Sequence, residues 1–147
     1  MRAKGLILSL CLLALCLALV PRAADPPAAT RDGVFIHISA GRADAHRVLM
    51  ALNMAALMSA DHDVLVYFDI KGIEVVLKDA QDLHYAQFPP LKTQLASLIA
   101  KGVPLLACPG CLKVAGKTPA DLAPGVKVAE KERFFSFTKG RILTLDY

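Results

Sequence analysis

The chain has no tryptophan, few aromatic residues (6 %) and only four cysteines among its 147 residues. Its body also lacks an excess of charge. Three of the 17 basic residues lie in the first 24 positions, which leaves 14 basic against 13 acidic residues from Asp25 onward. Nucleic-acid-binding proteins usually gather basic residues on one face, so we expect no nucleic-acid partner. The hydrophobic share of 55 % is large enough for a packed core, and the length suits one domain.

The first 24 residues have the three parts of a secretory signal peptide. The basic start Met-Arg-Ala-Lys is followed by residues 5–20, which carry no charge, and then by Pro-Arg-Ala-Ala. This apolar run is somewhat short for a membrane-spanning helix, which needs about 20 residues. We therefore expect a signal peptide at residues 1–24, cleaved near Ala23 or Ala24, with an uncleaved anchor as the alternative. The mature protein would be periplasmic or secreted, without stable membrane insertion.

Cleavage at that point changes the cysteine content of the protein. Cys11 and Cys16 leave with the signal peptide, and the mature chain keeps Cys108 and Cys111. Two cysteines are too few for a disulfide framework. They form a single Cys-Pro-Gly-Cys motif, which is the sharpest feature of the sequence.

The rest of the chain alternates between strand and helix patterns. Residues 25–32 predict a flexible lead-in, and residues 33–147 predict a single domain. The alternation favours a mainly parallel sheet with helices on both faces. The predicted strands are residues 34–38, 64–68, 103–107, 126–128 and 142–145. The predicted helices are residues 42–60, a helix from Pro89-Pro90 to Gly102, residues 111–115 and a short helix after Thr118-Pro119. Residues 73–77 fit a strand or a helical turn, and residues 130–137 fit a helix or a loop.

The Cys-Pro-Gly-Cys motif directly follows the third predicted strand and opens a predicted helix. Ligands and chemistry collect at the carboxyl ends of strands in open parallel sheets. The free N–H groups and the dipole at a helix start favour a thiolate. The position of Cys108 is therefore suited to a reactive sulfur.

Four roles for the pair remain open at this point. They are a sulfur-carrying or thiol-redox site, a soft-metal site for copper(I) or zinc, a structural disulfide, and two small buried side chains without a role. A c-type haem is excluded because Leu112, not histidine, follows Cys111. A closed zinc site needs four ligands, and the nearest histidine, His84, lies 24 residues before Cys108. A metal site would therefore need ligands from an oligomer interface.

Residues 98–111, with the sequence Leu-Ile-Ala-Lys-Gly-Val-Pro-Leu-Leu-Ala-Cys-Pro-Gly-Cys, end a helix at Gly-Val, continue as a strand and place a cysteine at its end. Residues 34–36 precede a long helix, and residues 64–68 precede Lys-Gly-Ile. This pattern resembles the DsrE/DsrF-like family over about residues 33–146.

The resemblance implies a three-layer α/β/α fold with a mainly parallel five-stranded sheet, often assembled as trimers or hexamers. The best-understood relatives relay sulfur as a cysteine persulfide. By position, Cys108 matches their sulfur-accepting cysteine, and Cys111 matches a second cysteine that only some members have. Those relatives work in the cytosol, whereas this chain carries a predicted export signal.

Three further residues are candidates for the pocket around Cys108. His37, in the first strand, is suited to act as an acid or base, or else to be a core histidine. Lys71 follows the second strand and is suited to lower a nearby thiol pKa, or else to be a surface lysine. Gly72 adjoins Lys71.

Our leading hypothesis is an exported DsrE-like protein that transfers sulfur or exchanges thiols through Cys108 and Cys111. Its partners would be a sulfur-donor or acceptor protein and further copies of itself. The alternatives are a soft-metal binding module that uses the same thiolates, and an oligomeric structural protein with a disulfide. We expect no cofactor and no resident metal in the leading case, and leave open whether the transfer is enzymatic.

Overall fold

The computed structural model describes residues 30–147, so the predicted signal peptide and most of the lead-in lie outside the described residues. Five strands form one sheet with the order β4-β3-β2-β1-β5. The strands are β1 (Gly33–Ile38), β2 (Asp63–Phe68), β3 (Leu105–Ala107), β4 (Val126–Val128) and β5 (Ile142–Asp146). Every neighbouring pair is parallel. The expected five-stranded sheet is confirmed, and it is parallel throughout rather than mainly so.

Four α-helices and three short 3-10 helices connect the strands. The α-helices are α1 (Ala45–Met58), α2 (Leu91–Ala100), α3 (Pro109–Val114) and α4 (Arg133–Ser136). The 3-10 helices span Arg42–Asp44, Ile70–Val75 and Pro119–Asp121. Within the described residues 30–147, no helix is both long and apolar enough to cross a membrane.

Two of these elements differ from the sequence-based expectation. The helix predicted at residues 42–60 begins as a 3-10 turn, because the Asp44 carboxylate accepts the Arg47 N–H and starts the α-helix at Ala45. The ambiguous residues 73–77 do not form a strand. They lie partly in the 3-10 helix, and Leu77 forms only an isolated antiparallel bridge to Leu122.

The helices cover the two faces of the sheet unequally. The chain steps from β1 to β4 in one direction, and right-handed crossovers place α1, α2 and α3 on the same face. Their side chains share one buried core with alternate strand residues such as Ile36 and Val66. The step from β4 back to β5 crosses the other face, where α4 packs Phe134 on Tyr67 with ring centroids 5.1 Å apart. The three-layer fold is confirmed, with a thin third layer.

Gly72 joins the 3-10 helix Ile70–Val75 to the end of β1. It is buried, and its N–H donates to the carbonyl oxygen of Asp69 at 2.6 Å. A Cβ at this position would overlap the carbonyl oxygen of Ile38, which belongs to the backbone and cannot turn aside. Gly72 is therefore required by the close approach of two backbone segments.

We expect Gly72→Ala to lower the free energy of unfolding by about 1–3 kcal/mol, the usual range for overpacking a buried position. Chemical denaturation of the two proteins measures the difference. Gly110→Ala is the matched control, because the nearest atom to its added Cβ would be the Cys108 sulfur at 3.8 Å. Equal stability of Gly72→Ala and the parent protein would contradict the backbone clash.

Candidate functional site

Cys108 lies one residue beyond β3 and is the N-cap of α3. Its N–H donates to the carbonyl oxygen of Phe68 at 2.8 Å, which holds it beside the end of β2. Its sulfur accepts the backbone N–H of Cys111 at 3.4 Å. Cys108 and Cys111 are both free thiols, and both are partly exposed.

The surroundings of the two cysteines shift their thiol pKa values in opposite directions. For Cys108 the largest effect is partial burial, which raises the pKa, but the Tyr67 hydroxyl and the N–H groups of Cys111 and Gly110 together outweigh it. The net pKa of Cys108 is lowered. For Cys111 the largest effect is the Ile70 N–H, which lowers the pKa, yet burial and the neighbouring Cys108 outweigh it and the net pKa is raised. Cys108 therefore ionises first and is the better nucleophile near neutral pH.

Both cysteines line a cleft of about 480 Å³ between α3 and the 3-10 helix Ile70–Val75. Its rims are apolar and open to solvent, since Ile70 is 63 % exposed and Val114 is 90 % exposed. Lys71 also lines the cleft, and its ammonium lies 3.5 Å from Oε1 of Glu74. The cleft thus presents two thiols between apolar walls beside one lysine-glutamate pair.

Ile70 has a backbone conformation that is rare for a β-branched residue. Its φ is +45°, in the left-handed region that favours glycine. Ile70 follows β2 at the point where the chain turns sharply into the 3-10 helix. On one side of the turn the Asp69 carboxylate contacts His37, and on the other the Ile70 N–H acts on the Cys111 sulfur. The strain therefore accompanies a turn that serves both halves of the site.

His37 lies on the opposite face of the sheet from the cleft. Its Nδ1 is 2.9 Å from Oδ1 of Asp146, within hydrogen-bond geometry. Its Nε2 is 2.8 Å from Oδ1 of Asp69, but the two atoms are not aligned as a hydrogen bond, so this contact is an ion pair only. Burial is the largest effect on the pKa of His37 and lowers it, but the two carboxylates outweigh burial and the net pKa is raised.

Tyr67 connects the histidine to the cysteines. Its ring stacks on the His37 ring with centroids 5.7 Å apart, and its hydroxyl interacts with the Cys108 thiol. Burial, the largest effect, and the interaction with Cys108 both raise the pKa of Tyr67 far above its usual value. Tyr67 therefore keeps its proton and acts as a donor.

The structure brings only some of the sequence-predicted residues together. Cys108, Cys111 and Lys71 line one cleft, whereas His37 reaches the cysteines through Tyr67 and Asp69. Gly72 is packed against β1 and does not line the cleft.

Sequence analysis assigned no role to Tyr67 or Asp146. Both depend on strand register: His37 pairs with Tyr67 on one side and with Asp146 on the other. A polar residue near the end of each strand was the only available signal.

Metal binding by a single copy of this chain finds little support. Within residues 30–147, no three His, Cys, Asp or Glu side chains lie close enough together to hold a metal ion. The soft-metal alternative would therefore have at most the two thiolates from each chain.

Comparison with known proteins identifies the class of the fold and then the family. The YchN protein of E. coli has a similar structure, with a TM-score of 0.61 and 16 % sequence identity over 78 % of this chain and 99 % of that chain. A protein of unknown function from Methanobacterium thermoautotrophicum, MTH1491, is also similar, with a TM-score of 0.55 and 18 % identity over the same shares of the two chains. These identities establish a common fold.

The family model of the DsrE/DsrF-like family matches residues 32–139. The chain therefore belongs to the DsrE/DsrF-like family, whose members are generally sulfur-relay proteins. No curated protein sequence matches the chain significantly. The family assignment made from the Gly-Val-strand-Cys pattern is confirmed.

We expect iodoacetamide to alkylate Cys108 faster than Cys111 in the reduced protein near pH 7, because thiolates react and Cys108 has the lower pKa. Quenched time points with peptide mass spectrometry measure both rates. The same protein unfolded in guanidinium is the control, where the preference should largely disappear. Faster modification of Cys111 in the folded protein would contradict the assignment of the nucleophile.

The raised pKa of His37 also predicts how stability depends on pH. The folded state holds the imidazole proton more tightly than the unfolded state, so the contribution is complete below about pH 6.5 and is lost as the pH rises through the folded pKa. We expect His37→Gln to lower the melting temperature more at pH 5.5 than at pH 8. Asp146→Asn, which keeps the histidine and removes one carboxylate, should show part of the effect. A difference that is constant over this pH range would show that the carboxylates do not favour the charged imidazole.

Proposed function

We propose that this protein carries sulfur as a persulfide on Cys108, with Cys111 as a second thiol that releases it. The observation that carries the proposal is the pairing of a thiol of lowered pKa with one of raised pKa in an open cleft at the carboxyl ends of the strands. Membership of a family that generally relays sulfur supports the same conclusion.

The loading step follows from thiolate chemistry. The Cys108 thiolate attacks the outer sulfur of a donor persulfide R–S–SH, so that a new S–S bond forms on Cys108 and the donor bond breaks. The donor leaves as the thiolate R–S⁻, and Cys108 becomes the persulfide. An acceptor thiolate then takes the outer sulfur by the same exchange, which returns Cys108 to its thiolate form.

Cys111 provides a second route for the loaded sulfur. Attack of its thiolate on the inner sulfur of Cys108 would form the Cys108–Cys111 disulfide and release HS⁻, after which an external dithiol must reduce the disulfide. The raised pKa of Cys111 keeps it mostly protonated, which slows this discharge. Thiol exchange without a persulfide would use the same two residues.

The location and partners belong to the same proposal. The basic start and charge-free run of residues 1–24 support export to the periplasm or secretion. The partner would then be a sulfur-donor or acceptor protein outside the cytosol. Assembly into a trimer or hexamer is supported by exposed apolar side chains near β5 and α4: Phe135, Ile142 and Leu143. A large apolar surface is typical of subunit interfaces.

Intact-mass spectrometry of protein purified without reductant from its native compartment tests the proposal. We expect loss of the signal peptide and an added mass of about 32 Da per sulfur atom, removed by dithiothreitol and mapped to Cys108. A species that lacks two hydrogens and carries no added sulfur would instead favour the disulfide alternative. Native mass spectrometry of the same sample reports the number of subunits and any bound metal.

Serine variants separate the competing functions. We expect Cys108→Ser to abolish loading from a persulfide donor, and Cys111→Ser to retain loading but to release sulfide more slowly. Equal loss of bound metal in both variants would favour the metal-binding alternative. A lower melting temperature in both, without any lost transfer, would favour a structural disulfide. Transfer that persists in Cys108→Ser would reject the proposal.

A further inference from the structure

We propose that Tyr67 is a catalytic residue of this site, whose hydroxyl donates a hydrogen bond to the Cys108 sulfur and stabilises it as the thiolate. The inference rests on the proposed function only in taking Cys108 as the reacting sulfur. Nothing in the Cys-Pro-Gly-Cys motif points to Tyr67, because the tyrosine lies 41 residues before Cys108 in the chain.

The strand register brings the two residues together. Tyr67 of β2 pairs with Leu106 of β3, and Phe68 pairs with Ala107. The next step of this ladder is the hydrogen bond from the Cys108 N–H to the carbonyl oxygen of Phe68. Cys108 is therefore fixed just beyond the level of Tyr67 on the adjacent strand.

Aromatic neighbours hold the Tyr67 ring in position. The ring stacks on His37 at 5.7 Å, contacts Phe35 at 6.1 Å and meets the edge of Phe134 at 5.1 Å. His37 is itself held by Asp69 and Asp146. A ring packed on several sides loses little further freedom when its hydroxyl binds the sulfur, so the donor is preorganised.

A protonated phenol suits the role of donor. Burial and the nearby Cys108 and Asp69 all disfavour the phenolate, so Tyr67 does not compete with Cys108 for the negative charge. Its hydroxyl adds a third donor to the N–H groups of Cys111 and Gly110, which also act on the sulfur. Hydrogen bonds to a charged, partly buried acceptor are stronger than neutral ones. The three donors can therefore offset the cost of holding a thiolate out of water.

Tyr67→Phe tests the inference, because it removes the hydroxyl and keeps the packed ring. The readout is the rate of iodoacetamide alkylation at Cys108 as a function of pH, followed by mass spectrometry of the Cys108 peptide in the full chain. We expect the midpoint of the profile to rise by about one pH unit, which lowers the rate near pH 7 about tenfold. Tyr85→Phe is the matched control, since Tyr85 stacks on His46 away from the cysteines.

A purely structural role for Tyr67 would lower the melting temperature without moving the alkylation profile, and that result would overturn the inference. A profile that shifts equally in Tyr85→Phe would overturn it as well. Alkylation needs no sulfur donor, so the test does not depend on persulfide transfer. A shifted profile in a protein that never loads sulfur would keep the inference and reject the proposed function.

Discussion

The hydrogen bond from the Cys108 N–H to the carbonyl oxygen of Phe68 is the constraint on which the rest of the site depends. It is the last backbone contact between β2 and the chain that leaves β3, and beyond it the chain turns at once into α3. Because all five strands are parallel, their carboxyl ends meet at one edge of the sheet. His37, Tyr67 and Cys108 are brought together at that edge although they belong to three different strand ends.

The architecture was predictable because its signals are local. Short β-rich runs, separated by helical patterns and by Gly and Pro, predicted all five strands close to their observed positions. The thin third layer was not predictable to the same degree. Residues 130–137 fitted a helix or a loop, and only α4 (Arg133–Ser136) forms there. Its place is decided by packing of Phe134 against the sheet, a contact that no short window of sequence contains.

The candidate site divides in the same way. The position of Cys108 follows from neighbouring residues, because a strand, a cysteine and a helix start are consecutive in the chain. The contact between His37 and Asp146 joins residues 109 positions apart, and the Tyr67–Cys108 contact requires the register of β2 against β3. A shift of one residue in either pairing would turn the side chains to the opposite face. Register depends on the whole sheet, so these partners could not be derived from the sequence pattern alone.

The two faces of the sheet contribute different properties to one sulfur atom. The open cleft between α3 and the 3-10 helix Ile70–Val75 offers a donor or acceptor access to Cys108 between apolar walls. The packed aromatic side chains on the other face hold Tyr67, which acts on the charge of the same thiol. Access and ionisation are therefore controlled by different residues. A partner can occupy the cleft without displacing the Tyr67 hydroxyl that stabilises the thiolate, since Tyr67 does not line the cleft.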